Sequence, residues 1–285
     1  MKPLDGHPCF SGRCQPSTGR IHLPVSPICN IHCRFCARGL SSETTRPGNA
    51  IRIVSPSEAV HILERAIRIC PELAVAGVAG PGDPLASDHA AETLELIHAL
   101  RPELILCLST NGLELSSRLP RLIAAGLGAL TVTVNAVEPK ILARLCAGIL
   151  RRGRFLAGVA GARRLIAAQE RGIAEARAAG IGLKINMVLA PGINDGQVEA
   201  VARRAAEWGA SFINVIPLLP AAELAGVPPP LPEDLESARS LAGQYLPSFR
   251  HCRQCRADAC GIPGRSDHSR ELYRDLGPVE TFSHG

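Results

Sequence analysis

The feature that most constrains the fold of this chain is a repeated alternation of short apolar strands with amphipathic helices. Repeated strand–helix units return the chain to the same edge of one sheet, so the pattern predicts a parallel α/β sheet. Six units fall short of a closed eight-stranded barrel, so we expect an incomplete (β/α)6 TIM-like barrel. The predicted strands are 20–26, 73–79, 104–108, 129–135, 182–189 and 212–217.

Helix signals separate these strands. The segment Ser55-Pro56-Ser57-Glu58 has the form of a capping box with proline at the first helical position, and Pro71 ends the helix that follows it. The segment 138–180 is interpreted as helical, with a possible break at 148–153. Further helices are predicted at 88–100, 118–125, 198–208 and 233–244.

Composition and charge narrow the function classes. The net charge is +5, from 31 Lys+Arg against 26 Asp+Glu, and no basic stripe is interleaved with aromatic residues, so nucleic acid is not an expected partner. The run Arg151-Arg152-Gly153-Arg154 is either a patch for a partner or phosphate, or a solvated turn. No stretch of 18 apolar residues predicts a membrane span, and the polar Met1–His7 is not a signal peptide. We therefore expect a cytoplasmic protein.

Eleven cysteines are distributed unevenly along the chain. Five lie in 9–36 and three in 252–260, while Cys70, Cys107 and Cys146 stand alone in apolar surroundings. In a reducing compartment, clustered cysteines indicate metal binding or catalysis rather than a disulfide framework. The two ends of the chain are therefore candidate metal-binding segments, and the three isolated cysteines are predicted to be small buried residues.

One cysteine cluster has a specific spacing. Cys29, Cys33 and Cys36 form C-x3-C-x2-C directly after the first predicted strand. Three thiolates can ligate three irons of a [4Fe–4S] cluster and leave the fourth iron open for a substrate. Zinc sites generally use paired CxxC units and four ligands, so a zinc loop is the less favoured alternative, together with a set of buried cysteines. The spacing is typical of radical S-adenosylmethionine (SAM) enzymes, in which the open iron binds SAM.

Polar residues follow the predicted strands at their carboxyl ends, where such barrels carry their chemistry. Glycines in the segment Gly80-Pro81-Gly82-Asp83-Pro84 would allow a ligand to approach the backbone, although this segment could also be a tight turn. The sequence therefore predicts that SAM is bound by a set of strand-end residues, namely Gly80, Gly82, Asp83, Ser109, Asn111, Thr131, Asn186 and Ala190.

The motifs together resemble the NifB family of nitrogenase cofactor maturases. The resemblance rests on HPC at 7–9, HLPVSPICNIHCRFCAR, VAGPGDPLA, STNGLEL, TVTVNAVEP, PGIND and HCRQCRADA at 251–259, and it covers about residues 7–262. It implies a barrel of the radical SAM type and fusion of two [4Fe–4S] clusters with a SAM-derived carbon into an eight-iron carbide precursor. It also implies a reductant such as ferredoxin or flavodoxin, and proteins that donate clusters and carry the cofactor.

The resemblance also assigns ligands and regions. Cys9, Cys252 and Cys255 would ligate one auxiliary [4Fe–4S] cluster, so the chain would carry one or two auxiliary clusters. The implied regions are an N-terminal cluster-binding extension at 1–19, the partial barrel at 20–220 and a C-terminal extension with auxiliary ligands at 221–285. Cys252 and Cys255 alone would also fit half a zinc site or a redox pair.

The chain departs from the family where a second auxiliary cluster would bind. The family usually has a further cysteine after the C-x3-C-x2-C motif, whereas the segment here is Gly39-Leu40-Ser41-Ser42. Cys14 either replaces the missing ligand or is a free thiol, and Cys260 is another spare thiol. His7 is read as a ligand or a turn residue, and His22 as a ligand or a packing residue.

Two other functions remain open at the level of sequence. The first is a radical SAM enzyme with one auxiliary cluster that acts on a peptide or small molecule. The second is a non-catalytic iron–sulfur scaffold that delivers clusters to a partner. Iron content measured together with SAM cleavage separates these two functions from the cluster maturase, because the three differ in the number of clusters bound and in whether they cleave SAM.

Overall fold

The computed structural model describes residues 4–11, 17–43, 45–273 and 283–284. Its strands are β1 (Gly19–His22), β2 (Ile28–Cys29), β3 (Ile31–Cys33), β4 (Leu73–Val78), β5 (Ile105–Thr110), β6 (Leu127–Thr133), β7 (Cys146–Arg151), β8 (Arg154–Ala157), β9 (Gly182–Leu189), β10 (Phe212–Pro217), β11 (Cys260–Gly261) and β12 (Ser283–His284). Its α-helices are α1 (Pro56–Ile69), α2 (His89–Leu100), α3 (Leu115–Ala124), α4 (Pro139–Leu145), α5 (Gly158–Ala178), α6 (Val198–Glu207), α7 (Pro232–Ala242) and α8 (Ser269–Tyr273).

The main sheet has seven strands in the order β10-β9-β6-β5-β4-β1-β11. The six strands from β10 to β1 are parallel, and β11 adds an antiparallel edge to β1. The predicted incomplete (β/α)6 barrel is confirmed. The C-terminal segment, which the sequence only marked as Cys-rich, supplies the seventh strand.

The two faces of the sheet differ in chemistry because side chains alternate along each strand. The face toward the helices is apolar: Leu106 and Leu108 of β5 and Leu130 of β6 are fully buried there. Ile62 and Leu63 of α1 belong to the same buried cluster. The residues between these apolar positions point to the concave face of the partial barrel, which forms the site described below.

The segment 138–180 is not continuously helical, and the predicted break at 148–153 lies within a β-hairpin. Helix α4 ends at Leu145, β7 and β8 pair antiparallel, and α5 begins at Gly158. Arg152 and Gly153 both have positive φ (50° and 72°), which is typical of a two-residue hairpin turn. Strand β7 also pairs antiparallel with β3, so the hairpin extends the strand that carries Cys33.

The predicted capping box is present at the start of α1. Ser55 Oγ accepts from Glu58 N at 3.3 Å, and Glu58 Oε2 accepts from Ser55 N at 2.8 Å. Hydrogen bonds from the backbone and side chain of Ser55 hold the pKa of Glu58 below its usual value.

We predict that Ser55→Ala lowers the free energy of unfolding by about 1 kcal/mol, because the first turn of α1 loses its cap. Denaturant unfolding measures the change. Ser237→Ala is the control, since Ser237 is exposed in the middle of α7 and a change there is expected to stay within about 0.5 kcal/mol. Equal effects of the two substitutions would contradict a capping role.

Candidate active site

The concave face of the sheet encloses a cavity of about 1320 Å³, counting the part that is open to solvent. The lining comes from all six parallel strands and from both ends of the chain. It also includes the loop that carries Cys29, Cys33 and Cys36, called the cysteine loop below. Its polar and sulfur-bearing side chains are His7, Cys9, Arg20, His22, Cys36, Arg38, Arg46, Cys107, Ser109, Thr131, Lys184, Asn186, Asn214, Cys252, Arg253, Gln254 and Cys255.

Strand register explains why these side chains meet. Ser109 of β5 is aligned with Thr131 of β6, and Thr131 is aligned with Lys184 of β9. Asn186 of β9 is in turn aligned with Asn214 of β10. Aligned residues of neighbouring strands share a face, so two adjacent polar rows cross the concave face of the sheet. Three of the predicted SAM contacts, Ser109, Thr131 and Asn186, lie in these rows.

The three cysteines of the C-x3-C-x2-C motif lie in one loop at the end of the barrel. Cys29 ends β2, Cys33 ends β3, and Cys36 follows a turn in which its N–H donates to Cys33 O at 3.0 Å. All three are free thiols, and Cys36 lines the cavity. Burial raises the pKa of Cys29 to about 12, so cluster binding there would displace a proton.

The donor set of this loop fits an iron–sulfur cube better than a single ion. The Cys36 thiol lies near enough to both Cys29 and Cys33 to help raise the pKa of each. Within the described part of the chain, no three His, Cys, Asp or Glu side chains converge on a single metal ion. A cube requires a wider spacing, because each thiolate binds a different iron. Three soft sulfur donors without a disulfide therefore suit a [4Fe–4S] cluster.

Asp83 connects the strand ends to the cysteine loop through its buried carboxylate and its backbone N–H. Asp83 Oδ2 accepts from Asn111 N at 2.6 Å, and Asp83 Oδ1 accepts from Thr110 Oγ1 and Leu85 N at 2.9 Å each. The N–H of Asp83 donates to Ile28 O at 2.8 Å, one residue before Cys29. Burial raises the pKa of Asp83, and the hydrogen bonds from Asn111, Leu85 and Thr110 oppose that shift.

Asn111 completes this connection between strand ends and loop. Its Nδ2 donates to Asn30 Oδ1 at 2.7 Å, and Asn30 lies between Cys29 and Cys33. The Gln169 amide donates to the carbonyls of Asn111 and Thr133 at 2.8 and 2.9 Å, which ties α5 to the same strand ends. Asp83 and Asn111 thus support the loop from outside the cavity lining.

The glycines of the Gly80–Pro84 segment allow a close backbone approach. A Cβ on Gly82 would lie 2.0 Å from Ile28 O, and Gly82 N donates to Ser26 O at 2.9 Å. Gly80 has φ +144°, a conformation that L side chains rarely adopt. In this structure the glycines seat the cysteine loop, while a contact with SAM at Gly80, Gly82 or Asp83 stays a prediction. Ala190 is fully buried at the end of β9 and is not part of the cavity lining.

We predict that Asp83→Ala lowers the free energy of unfolding by about 3 kcal/mol, because three buried donors lose a charged acceptor. Iron bound by the cysteine loop should fall as well, since the carboxylate positions Asn111, whose side chain donates to Asn30 in that loop. Denaturant unfolding and iron analysis of the purified variant measure both. Asp88→Ala is the matched control, because Asp88 is 60% exposed and pairs with Arg118 and Arg121 at the surface. Iron content unchanged by Asp83→Ala would contradict the anchoring role.

The cysteines at the two ends of the chain meet in the cavity. Cys9, Cys252 and Cys255 all line it, and both C-terminal thiols influence the titration of Cys9. Arg20 Nη2 donates to Cys255 Sγ at 2.9 Å. These thiols are 243 or more residues apart in sequence from Cys9, and β11 brings the C-terminal segment beside β1. Cys14 lies outside the described residues.

The isolated cysteines divide into two groups. Cys70 and Cys146 are buried, as predicted, and Cys260 is buried too. Cys107 instead lines the cavity, and the thiol of Cys9 contributes, after burial, to raising its pKa to about 12. The sequence interpretation of Cys107 as a core residue was wrong. The sequence held a signal for the correct position. Cys107 precedes Ser109 by two residues on one strand, and residues two apart on a strand share a face.

The cavity is electropositive. Among the described residues that line it, none is Asp or Glu, and the cations are Arg20, Arg38, Arg46, Lys184 and Arg253. Lys184 is 5% exposed; its Nζ donates to Cys9 O at 3.2 Å and lies 5.0 Å from the ring centroids of Phe10 and Phe249. A buried cation without a facing carboxylate favours an anionic occupant.

Two histidines in the cavity are neutral. Burial lowers the pKa of His7 and of His22 to about 3. His7 Nδ1 accepts from Cys9 N at 3.0 Å, and its buried Nε2 has no hydrogen-bond partner within the described residues. His22 Nδ1 lies 3.0 Å from Arg256 O. Both histidines therefore add uncharged imidazole groups beside the thiols of the site.

Comparison with known proteins identifies the family. Residues 23–205 match the model of the radical SAM superfamily. The chain is 39% identical over 271 residues to the FeMo cofactor biosynthesis protein NifB of Methanocaldococcus jannaschii, covering 94% of this chain and 90% of that protein. The chain belongs to the NifB family. The NifB protein of Klebsiella pneumoniae is 40% identical over 274 residues, which cover 93% of this chain and 58% of that longer protein.

Solved structures support the fold alone. A radical SAM methyltransferase from Sphaerobacter thermophilus superposes with a TM-score of 0.58 at 19% identity, over 82% of this chain and 66% of that one. Methylornithine synthase superposes with a TM-score of 0.53 at 12% identity, over 92% and 78%. Membership of the radical SAM superfamily makes this NifB-family chain a radical SAM enzyme that uses a [4Fe–4S] cluster and SAM. None of the described helices has both the length and the apolar character to cross a bilayer.

Proposed function

We propose that this chain is a maturase that fuses two [4Fe–4S] clusters with a SAM-derived carbon into the eight-iron carbide precursor of the nitrogenase cofactor. The observation that carries the proposal is the thiol content of one electropositive cavity. The cavity is lined by Cys36 of the cysteine loop, Cys9 of the N-terminal segment, Cys107 of β5, and Cys252 and Cys255 of the C-terminal segment. An enzyme that joins clusters needs ligands for its substrate clusters beside the site where the radical forms.

Cys29, Cys33 and Cys36 would hold the resident [4Fe–4S] cluster, which together with SAM supplies a 5′-deoxyadenosyl radical. Ser109, Thr131 and Asn186, which line the cavity, would offer hydroxyl and amide groups to SAM. Gly80 and Gly82 would present backbone carbonyls to the SAM amino group. Gly82 packs closely against the backbone of Ile28, and this contact would keep those carbonyls and the cysteine loop in one rigid unit.

The second set of thiols suits a substrate cluster. Cys9, Cys252 and Cys255 come from both ends of the chain and lie near one another, so they can each bind a different iron. The Arg20 guanidinium donates to Cys255 Sγ, and such a charge-assisted bond stabilises a thiolate ligand. Lys184, between two aromatic rings, places further positive charge beside Cys9. A cluster bound by three thiolates is anionic, so these cations stabilise it.

The first test concerns the resident cluster. We predict that Cys29→Ala, Cys33→Ala and Cys36→Ala combined abolish 5′-deoxyadenosine production, while iron bound at the chain ends survives because its ligands lie elsewhere. Anaerobic SAM cleavage with dithionite and iron analysis provide the two readouts. Persistent reductive cleavage of SAM in the triple variant would refute the assignment of these ligands.

The second test concerns the substrate cluster. We predict that Cys9→Ala, Cys252→Ala and Cys255→Ala combined lose about four irons and all eight-iron product, with SAM cleavage retained. The control is Cys70→Ala with Cys260→Ala, because both thiols are buried outside the cavity lining. The control should keep the iron content and the product.

The same measurements separate the other two functions. A radical SAM enzyme acting on a peptide or small molecule would cleave SAM and bind one auxiliary cluster without forming eight-iron product. A scaffold would bind clusters without SAM turnover. Proteins that donate clusters, carry the product and supply electrons are the partners that the proposed reaction requires.

A further inference from the structure

Positive charge is concentrated in one segment of the chain. No carboxylate occurs between Glu138 and Glu170, whereas seven cations do, namely Lys140, Arg144, Arg151, Arg152, Arg154, Arg163 and Arg164. This excess is larger than the net charge of +5 of the whole chain. The proposed reaction inside the cavity uses none of these side chains.

Three of these arginines lie on the β7–β8 hairpin, and Arg164 of α5 lies beside them. Arg151, Arg152, Arg154 and Arg164 line a shallow cleft with Leu156. Arg151 Nε lies 3.2 Å from Glu114 Oε1, while Arg152, Arg154 and Arg164 have no carboxylate partner among the described residues. We call the three unpaired residues with the hairpin turn the arginine tip.

The turn itself has an unusual residue. Arg152 has φ 50°, a left-handed conformation that costs about 1–2 kcal/mol for most L-residues and that glycine or asparagine usually occupies in such turns. Backbone strain of this kind is often found at functional positions. The turn holds the exposed guanidinium of Arg152 at the end of a paired hairpin rather than on a loose loop.

Apolar side chains accompany the arginines. Phe155 is 53% exposed, Leu156 39% and Val159 37%, and every residue of β8 is exposed. Strand β8 is the edge of its three-stranded sheet. Exposed aromatic and aliphatic groups with arginine at the rim are typical of a protein interface. A site for free phosphate would not need this apolar surface.

The hairpin is rigidly joined to the cysteine loop. Strand β7 pairs with β3 so that Cys146 is aligned with Cys33 and Ile149 with Ile31. Leu150 N also donates to Asn30 O at 2.8 Å, between two of the cluster ligands. Arg151 lies five residues after Cys146 along β7, which is about 17 Å at the usual rise per residue.

We propose that the arginine tip, with Phe155 and Leu156, is the docking surface for an acidic one-electron carrier protein that reduces the [4Fe–4S] cluster. The inference rests on the proposed function. The carrier loses one electron and the cluster gains it. That electron passes to the SAM sulfonium and breaks its S–C5′ bond, which yields methionine and the 5′-deoxyadenosyl radical. Charge complementarity would steer the carrier to the strand that bears Cys33.

The experiment compares two electron sources. We expect Arg152→Glu, Arg154→Glu and Arg164→Glu combined to slow 5′-deoxyadenosine formation about tenfold or more when an acidic flavodoxin hydroquinone is the reductant. With dithionite, a small reductant that needs no docking, the rate should equal that of the wild type. Raising the salt concentration should slow the flavodoxin reaction of the wild type and change that of the variant little.

The matched control is Arg68→Glu, Arg203→Glu and Arg270→Glu combined, which makes the same change in net charge at exposed positions on α1, α6 and α8. It should keep the flavodoxin rate. Arg152→Gly tests the charge separately from folding, because glycine suits the turn while one cation is lost. We expect an intact fold and a smaller loss of the flavodoxin-driven rate than in the triple variant.

Several results would overturn the docking proposal. One is a control variant that loses as much of the flavodoxin-driven rate as the tip variant. Another is a tip variant whose flavodoxin-driven rate is unchanged. The third is a tip variant that loses the same share of its rate with dithionite as with flavodoxin. The tip would belong to another partner if the wild type bound single-stranded RNA or anionic vesicles, the charge reversal abolished that binding, and the rate of electron transfer from flavodoxin stayed unchanged. Failure of the proposed function is distinguishable, because stopped-flow reduction of the cluster by flavodoxin reports docking even if no eight-iron product forms.

Discussion

In-register pairing of parallel strands is the constraint on which the site depends. Side chains alternate between the two faces of each strand, so one sequence repeat places Leu108 in the helix-covered core and Ser109 in the cavity. The same register aligns Ser109 with Thr131 and Thr131 with Lys184. The apolar face provides the buried area that stabilises the sheet, and the opposite face is left to carry polar and sulfur-bearing groups.

The cysteine loop depends on this sheet for its shape. It has only short strands of its own, and its position comes from the buried Asp83 carboxylate, from the Asn111–Asn30 hydrogen bond and from the close approach of Gly82 to Ile28. A carboxylate with several N–H and O–H donors is stable in the interior because each hydrogen bond offsets part of its desolvation. The strand-end motifs thus connect the barrel to the cluster-binding loop as well as offering groups to a ligand.

Electrostatics organise two separate surfaces. Inside, cations such as Arg20 and Lys184 surround thiols without any facing carboxylate among the described lining residues, which suits anionic clusters. Outside, Arg152 and Arg154 of the β7–β8 hairpin lie next to exposed Phe155 and have no carboxylate partner within the described part of the chain. The hairpin reaches the loop of Cys33 through continuous strand pairing, so both charged surfaces converge on the same cluster-binding segment.

The sequence by itself determined the β/α order, the capping box at Ser55 and the C-x3-C-x2-C motif, because these depend on local periodicity and spacing. Only the tertiary structure decided that 146–157 is a hairpin, since β7 is stabilised by pairing with β3, more than 100 residues earlier in the chain. It also decided that Cys9 meets Cys255. That meeting results from the pairing of β11 with β1, a contact between distant segments that no local pattern encodes.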